Sequence, residues 1–364
     1  MKINIAYIIP SLNVGGSEQK VIDLAIGLDK NKFNPIIITI TKEGVLLSKA
    51  KEAHIPVFCV NKKGKLDIFV ISRIAKILKQ NKVDIAQVFT STGKLWGRLG
   101  AKKAKTKVII STEESLFRNR YIDRLLERKL AKTTSLIIAN SLGTLKFAQE
   151  STKINASKYK CIYNGIYLEP FINAKKLDLI LKDKDEQLIM SVARLDSRKR
   201  LDLLIRVFND IKDDFKVKLV LVGSGPEEEK LRNLVHELKL ENKVIFMGTR
   251  NDVPNLLKEA DVFVLPSDQE GFGNVIIEAM ASNVCVVASN AGGIPEVINH
   301  NKTGLIFEKG NFNQLKENLI KVLKDKELKE SLQKEAFKGI TKFSRERMVE
   351  GHVKVYEELT RRED

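Results

Sequence analysis

The feature that most constrains the fold is an alternation that runs along the whole chain. Short apolar, β-branched runs alternate with longer stretches such as SEQKVIDLAIGLDK, in which apolar residues recur at helix spacing. Uninterrupted apolar strands separated by helices predict parallel sheets that are covered by helices on both faces. The predicted strands are residues 2–9, 35–41, 56–60, 83–88, 107–111, 135–139, 187–193, 217–223, 243–247, 262–266, 284–289 and 304–307.

Two such sheets are expected, because 364 residues are too many for one ordinary core. The alternation is interrupted by a polar and charged stretch at about residues 165–185, which is interpreted as a linker. The fold class is therefore predicted as α/β, with two Rossmann-like, doubly wound parallel-sheet domains. We expect an N-terminal domain of residues 1–168 and a C-terminal domain of residues 169–343. A last helix, at about 344–364, could pack back on the first domain.

Charge is distributed unevenly between the two halves of the chain. Residues 1–165 carry 30 Lys and Arg against 12 Asp and Glu, whereas residues 166–364 carry 33 against 34. A basic half suggests an anionic partner. Nucleic acid is disfavoured, because aromatic residues make up only 6% and are not interleaved with the basic stretches. An anionic membrane surface or a phosphate-bearing substrate fits at least as well.

The remaining composition favours a soluble, cytoplasmic protein. The longest apolar runs, such as PIIITI, are too short to span a bilayer, and the N-terminus reads as a buried strand and not as a signal peptide. The three cysteines are scattered, which favours free thiols in a reducing compartment.

Motifs that directly follow predicted strands are the candidates for a site, because ligands of doubly wound folds bind at the carboxyl ends of the strands. The first motif is PSLNVGGSEQK, in which Gly15 and Gly16 allow close backbone approach and Ser17 can cap the next helix. Such a turn suits a pyrophosphate. A simple strand-to-helix turn would need only one glycine and a cap.

The second motif, SVARLDSRKR, places Arg194 and Lys199 in a loop after a strand. Two cations there could neutralise a diphosphate and stabilise it as a leaving group. Arg198 and Arg200 are equally well read as a solvated basic loop. The third motif, LVGSGPEEEKLR, begins like a dinucleotide motif at Gly223, but a glutamate occupies the third glycine position.

The fourth motif is EGFGNVIIEAMA, in which a glycine loop opens a helix from about Asn274 and suits phosphate. Eight steps at about 100° per residue place Glu270 and Glu278 roughly 80° apart around a helix, so Glu270 is expected on the loop. Carboxylates suit the hydroxyls of a sugar or a ribose diol. A metal site is disfavoured by scattered histidines, and a Ser-His-Asp hydrolase lacks its nucleophile elbow.

This ordered set resembles glycosyltransferase family 4, the retaining GT-B glycosyltransferases, in GGSE, RLDSRK, VGSGPEEEKL, EGFGNVIIEAMA, SNAGGIPEVI and NKTGLIF. The resemblance implies metal-independent transfer from a nucleotide-sugar across a cleft between two domains, with retention. It implies that Glu278 binds the ribose, Glu270 the donor sugar, and Arg194 and Lys199 the diphosphate, with Glu270, Arg194 and Lys199 as the catalytic set. Further donor contacts would be Gly15, Gly16, Gly223, Arg250, Gly271, Phe272, Gly273, Asn274 and Val275.

The acceptor would bind the basic N-terminal domain. Where many relatives carry a histidine, the loop reads STEESLFRNR, which makes Glu113, Glu114 and Arg118 the acceptor-side candidates. A basic stripe, Arg120, Arg124, Arg128 and Lys132, could touch a membrane or be a solvated helix face. The favoured function is transfer of a hexose-type sugar, on family frequency from a UDP-sugar, to a lipid-linked or polysaccharide acceptor. The alternatives are a GT-B sugar-nucleotide epimerase and a non-catalytic sugar-nucleotide binder.

Overall fold

The computed structural model describes residues 2–13, 15–64, 67–115, 121–177 and 181–361. The chain forms two compact units. Unit 1 comprises residues 1–166 together with residues 343–364, and unit 2 comprises residues 167–342. Unit 1 is therefore built from two separate parts of the sequence, with the whole of unit 2 inserted between them.

Unit 1 contains a seven-stranded sheet. Its strands are β1 (Ile3–Ile9), β2 (Phe33–Thr39), β3 (Val57–Cys59), β4 (Ile85–Val88), β5 (Val108–Glu113), β6 (Leu136–Ala139) and β7 (Tyr159–Cys161). They lie in the order β3-β2-β1-β4-β5-β6-β7, and all pairings are parallel. Its helices are α1 (Gly16–Gly27), α2 (Leu47–Glu52), α3 (Val70–Gln80), α4 (Thr90–Ala104), α5 (Tyr121–Ala131), α6 (Leu142–Thr152) and α15 (Arg345–Arg361).

The helix α15 completes one of the two apolar layers of unit 1. Met348, Val349 and Tyr356 are buried among the side chains of β1, β2 and α1. The Tyr356 hydroxyl donates a hydrogen bond to Gln87 of β4, whose amide in turn lies 3.1 Å from the hydroxyl of Thr112 on β5. His352 is fully buried with Nδ1 2.9 Å from the Met348 carbonyl, and burial lowers its pKa to about 3. This histidine is structural.

Unit 2 contains a six-stranded parallel sheet. Its strands are β8 (Gln187–Val192), β9 (Val217–Val222), β10 (Val244–Phe246), β11 (Val262–Leu265), β12 (Cys285–Ser289) and β13 (Leu305–Phe307), in the order β10-β9-β8-β11-β12-β13. Its helices are α7 (Glu169–Ile172), α8 (Leu201–Ile211), α9 (Glu228–Glu237), α10 (Val253–Leu257), α11 (Asn274–Ala281), α12 (Ile294–Val297), α13 (Phe312–Lys324) and α14 (Lys326–Lys338). One apolar cluster, drawn from β8, β9, β11 and the helices α8, α9 and α13, forms its core.

The predicted fold class, two doubly wound parallel-sheet domains, is confirmed. Each predicted strand occurs within two residues of its expected ends. The sequence analysis missed β7, because its three residues, Tyr159, Lys160 and Cys161, include an exposed lysine and form an edge strand that is too short for a pattern.

In each unit the strand order reverses direction beside the first strand. The reversal lies between β1 and β4 in unit 1 and between β8 and β11 in unit 2. In open parallel sheets the helices on the two sides of this point diverge, which leaves a crevice at the carboxyl ends of these strands. The loops after β1, β4, β8 and β11 are therefore the places to look for a site.

Candidate active site

The loops after β8 and β11 are joined by an ion pair at the reversal point of unit 2. Lys199, in a short 3₁₀ turn after β8, donates to the carboxylate of Glu270, in the loop after β11. Both side chains are largely but not fully buried, at 19% and 16% exposed. A second link runs between the loops, since the Asp268 amide donates to the Arg198 carbonyl at 2.8 Å. The structure thus brings together two of the predicted catalytic residues.

Two serines near Glu270 were not singled out by the sequence analysis. The hydroxyl of the fully buried Ser267 lies 3.4 Å from the Glu270 carboxylate. Ser289, at the end of β12, donates to the Ser267 carbonyl at 2.5 Å and fixes this turn. The only sequence signal for Ser267 was its place directly after a strand.

The loop after β9 packs tightly on the loop after β8. A Cβ atom on Gly223 would lie 1.9 Å from the Ala193 carbonyl oxygen, and the φ of Gly223 is +131°. Both conditions require glycine. Within the same pair of loops the Leu195 amide donates to the Ser224 carbonyl at 3.0 Å. Gly223 therefore holds the shape of the Arg194–Lys199 loop, whatever contact it makes with a ligand.

The three arginines of this loop have different surroundings. Arg194 is exposed and forms no ion pair with another described residue. Arg198 pairs with Asp196 at 2.6 Å, and Arg200 pairs with both Asp202 and Asp268 at 3.1 Å. Arg194 is thus the cation of this loop that has no carboxylate partner among the described residues.

Arg250, expected among the donor contacts, lies in the loop after β10 and is 2.6 Å from Asp252. The guanidinium therefore already has a carboxylate partner, and any contact with a ligand would have to share or replace it.

The glycine loop before α11 has the expected form. Gly273 adopts a φ of +86° immediately before the helix begins at Asn274, and Phe272 is buried. Val275 follows in the first turn, and Gly271 precedes the turn at intermediate burial. A left-handed conformation at this position favours glycine, which explains why the motif carries it.

Glu278 lies on α11, and its carboxylate accepts no hydrogen bond from any residue that the structure describes. Burial of the charged group raises its pKa from 4.5 to about 7. A carboxylate that is desolvated without a partner is unfavourable unless something else donates to it. Ligand hydroxyls would be suitable donors.

A cavity of about 500 Å³ lies in unit 1 near the ends of β4 and β5. Its lining consists mainly of hydroxyl and carboxylate side chains: Ser17, Thr90, Ser91, Thr92, Lys94, Leu95, Trp96, Thr112, Glu113, Glu114, Ser115, Asp123, Leu126 and Glu127. Two of the three acceptor-side candidates, Glu113 and Glu114, are in this wall. The third, Arg118, lies outside the described residues.

Buried charges form the floor of this unit 1 cavity. Lys94 is 2.5 Å from Glu113 and 3.6 Å from Glu127, and Glu127 is also 2.7 Å from the fully buried Arg98. Each of these groups loses hydration, so each depends on its partner for compensation. The sequence analysis missed Lys94, Arg98 and Glu127, because on sequence alone they look like ordinary charged positions of α4 and α5.

The glycine pair of the first motif begins α1, with Gly15 in extended backbone and Gly16 as the first helical residue. Ser17 was expected to cap α1, but its hydroxyl donates to Glu114 and makes no capping bond. Lys20, on the next turn, is also buried and lies 3.3 Å from Glu114. The motif is thus tied to the cavity wall.

Two absences apply to the described residues only. No group of three or more His, Cys, Asp or Glu residues there could hold a metal ion. None of the helices there has the length and apolar character to cross a membrane.

Comparison with known proteins matches two family models to this chain. Residues 14–170 match the model of Glycosyltransferase Family 4, and residues 174–339 match Glycosyl transferases group 1. Between them the two models account for most of both units, including the loops after β8 and β11.

Curated relatives are similar over part of their length. The chain is 33% identical over 219 residues to the N-acetylgalactosamine-N,N'-diacetylbacillosaminyl-diphospho-undecaprenol 4-alpha-N-acetylgalactosaminyltransferase of Campylobacter jejuni, covering 60% of this chain and 59% of the relative. It is 33% identical over 204 residues to the N-acetyl-alpha-D-glucosaminyl L-malate synthase of Bacillus anthracis, covering 56% of this chain and 53% of that one. The chain thus matches little more than half the length of these relatives.

Among solved structures, that of Alr3699/HepE from Anabaena in complex with UDP and glucose matches with a TM-score of 0.87 at 21% identity. The match covers 98% of this chain and 100% of that chain. At this identity the likeness shows a shared fold.

Proposed function

Since the chain belongs to glycosyltransferase family 4, we propose that it transfers a hexose-type sugar from a UDP-sugar to a lipid-linked or polysaccharide acceptor. We further propose retention at the anomeric carbon and no requirement for a metal ion. The protein would work in the cytoplasm, at the inner face of the membrane where a lipid-linked acceptor is presented. UDP is favoured by the Anabaena structure, whose complex contains UDP.

The observation that carries this proposal is the Lys199–Glu270 pair at the reversal point of unit 2. A diphosphate arriving at this crevice would attract Lys199, and Arg194 is free to join it. As Lys199 turns to the phosphates, Glu270 becomes available to accept hydrogen bonds from hydroxyls of the donor sugar. Without a ligand, the Lys199–Glu270 ion pair therefore holds both side chains in position and compensates their charges. On binding, Lys199 would contact the phosphates and Glu270 the sugar.

The ribose of the nucleotide would bind to the Glu278 carboxylate. Its carboxylate lacks a donor among the described residues, and two neighbouring hydroxyls would supply two hydrogen bonds. These bonds favour the charged form, so nucleotide binding should lower the Glu278 pKa from about 7.

In chemical terms, unit 2 stabilises the leaving group. Lys199 and Arg194 would neutralise charge that develops on the diphosphate as the bond to the anomeric carbon breaks. The departing phosphate oxygen would take the proton from the attacking hydroxyl, which then forms the new bond on the same face. Each protein side chain named here binds the substrate or neutralises its charge. The proton acceptor is a phosphate oxygen of the substrate itself.

The acceptor would occupy the unit 1 cavity. Its wall presents the carboxylates Glu113, Glu114, Asp123 and Glu127 beside several hydroxyls. Hydroxyls and carboxylates both accept hydrogen bonds from sugar hydroxyls, and three of these carboxylates are already compensated by buried cations. The lining therefore favours a glycan acceptor, like that of the Campylobacter relative.

A thermal-shift panel with UDP-, GDP- and ADP-sugars tests the donor assignment. We expect stabilisation by the UDP-sugar, which follows from binding to the folded state alone. Glu270→Gln should keep nucleotide affinity while lowering the rate and the selectivity between sugars. An unchanged rate in Glu270→Gln would refute the role of this side chain, and no shift with any nucleotide would refute the donor site itself.

Acceptor dependence separates the proposed transfer from its alternatives. A transferase releases UDP faster when a lipid-linked glycan is added. An epimerase would convert the donor without acceptor, and a non-catalytic binder would be stabilised by the nucleotide but release no UDP. Added EDTA should leave the transfer rate unchanged.

A further inference from the structure

Arg200 occupies a backbone conformation that arginine seldom adopts. It lies directly before α8 with a φ of +49° and a ψ of +39°, in the left-handed region. This region favours glycine, because a Cβ atom there comes too close to the following carbonyl oxygen. Such residues persist where surrounding contacts offset the strain, and they are frequent at functional sites. The contacts of the Arg200 side chain are therefore expected to offset this strain.

The Arg200 guanidinium joins two segments of unit 2 and adjoins a third. Its Nε lies 3.1 Å from the carboxylate of Asp202, in the first turn of α8, and its Nη1 lies 3.1 Å from that of Asp268, in the loop after β11. The loop after β13 passes nearby, since a Cβ atom on Gly310 would lie 3.8 Å from the same Nη1. The guanidinium thus fixes the start of α8 relative to the loop that carries Glu270.

Two adjacent links hold the loops after β8 and β11 together. One link is the Lys199–Glu270 ion pair. The other consists of the Arg200–Asp268 ion pair and of the 2.8 Å hydrogen bond that the Asp268 amide donates to the Arg198 carbonyl. Three consecutive residues of one loop therefore contact two residues of the other.

Nucleotide binding would affect the two links differently. Lys199 pairs with one carboxylate among the described residues, whereas Arg200 pairs with two. An arriving diphosphate would therefore draw Lys199 away from Glu270 first and leave the Arg200–Asp268 pair in place. The Glu270 loop would then depend on this second link for its position. Position is important there, because a displacement of about 1 Å in a catalytic site can lower the rate roughly 100-fold.

We propose that Arg200 is a positioning residue of the donor site. Its ion pair with Asp268 holds the Glu270 loop against the Lys199 loop while nucleotide separates Lys199 from Glu270. In this role Arg200 acts through Asp268 and contacts no substrate. The inference rests on the proposed role of Lys199 in nucleotide binding, but its first test needs neither nucleotide nor activity.

Substitution by glycine separates the side chain of Arg200 from its backbone. Arg200→Gly removes the guanidinium and suits the left-handed backbone, so the variant should fold and melt close to wild type. Lys239→Gly is the matched control, because Lys239 is an exposed cation of unit 2 with a φ of +55° and no ion pair with another described residue. It relieves the same backbone conformation without removing a link between loops.

Hydrogen exchange of residues 266–272 measures how firmly the Glu270 loop is held. Without ligand, Arg200→Gly should exchange about threefold faster than wild type, because the Lys199–Glu270 pair remains. With saturating UDP, the ratio of the variant rate to the wild-type rate should rise to roughly tenfold, because Lys199 then binds the phosphates. Lys239→Gly should exchange like wild type in both states.

Two further measurements distinguish positioning from a general loss of structure. Asp268→Ala should reproduce the faster exchange, and combining it with Arg200→Gly should add little, because both substitutions remove the same link. In the release of UDP from UDP-glucose, Arg200→Gly should lower kcat by roughly tenfold. The affinity for UDP should stay within about twofold of wild type, because the diphosphate contacts remain.

Four results would overturn the proposal. They are wild-type exchange in Arg200→Gly, equally fast exchange in Lys239→Gly, fully additive effects of Arg200→Gly and Asp268→Ala, and a loss of UDP affinity as large as the loss of kcat. The last result would make Arg200 a ligand contact. A wild type that binds no UDP would refute the donor assignment, and exchange in the ligand-free protein alone would then decide whether Arg200 holds the loop.

Discussion

Replacing Glu278 by glutamine should stabilise the ligand-free protein and at the same time reduce its stabilisation by nucleotide. Burial without a hydrogen-bond donor raises the Glu278 pKa from 4.5 to about 7. For an acid whose folded pKa is raised, the folded state holds the proton more tightly than the unfolded chain. The contribution of Glu278 to the free energy of unfolding is therefore greatest below pH 4.5, and it is lost progressively as the pH rises from 4.5 to about 7.

The size of the effect follows from the two pKa values. The gap between 4.5 and about 7, at roughly 1.36 kcal/mol per pH unit, sets an upper limit of about 3 kcal/mol at pH 8, because Glu278 is half-buried and keeps part of its hydration. One pH unit above 4.5 the loss is only about 1 kcal/mol. Glutamine has nearly the same shape as glutamate and no charge, so Glu278→Gln should recover most of the free energy of unfolding that is lost at pH 8. For a domain of this size, about 3 kcal/mol corresponds to roughly 6–12 °C in the melting temperature.

The assay is thermal unfolding of wild type and Glu278→Gln at pH 5 and pH 8, with and without UDP. Without UDP, the variant should melt higher than wild type at pH 8 and within a few degrees of it at pH 5. With UDP, the variant should be stabilised less than wild type, because the diphosphate contacts remain while the charged ribose contact is lost. Glu317→Gln, at an exposed position of α13 in the same unit, is the control for loss of a surface carboxylate. A variant that melts no higher at pH 8, or that keeps the full UDP shift, would refute the reasoning.

Three further substitutions test residues that hold the loops and helices around the two sites in position. Each is measured by denaturant unfolding. Gly223→Ala should cost more than about 2 kcal/mol, because its Cβ would meet a carbonyl oxygen at 1.9 Å, whereas Gly339→Ala, with its nearest neighbour at 3.9 Å, should be close to neutral. Arg98→Met should cost about 3–5 kcal/mol because it leaves Glu127 without its 2.7 Å partner, and equal stability would contradict a buried ion pair. Tyr356→Phe should cost about 1–2 kcal/mol through the lost hydrogen bond to β4, and a larger loss would mean that packing changes as well.

The sequence predicted the sheets well because apolar β-branched runs are dictated by burial on both faces. It also predicted the glycine loop after β11, because glycine readily adopts the backbone conformation of a tight turn that opens a helix. Gly273 does take up a left-handed conformation before α11, as a glycine loop that opens a helix requires. The residue roles drawn from the family resemblance stay predictions.

The sequence could not show which charged side chains form ion pairs with each other. Lys199 and Glu270 are 71 positions apart, and their ion pair exists only because the loops after β8 and β11 adjoin at the reversal of strand order. Lys94 and Arg98 look like the surface lysines and arginines that fill this chain, yet both are buried. Burial of a charged residue depends on the partner that folding supplies, and no local pattern encodes that partner.

The position of α15 has a consequence for how the protein is made. A chain emerges from the ribosome from its N-terminus, and the first domain to emerge commonly folds first. Here Tyr356, which is fully buried beside β1 and β4, is translated after every residue of unit 2. Unit 2 can therefore reach its final structure during synthesis while unit 1 waits with an uncovered apolar face. A ribosome that stalls between the two units should leave a nascent chain that chaperones recognise.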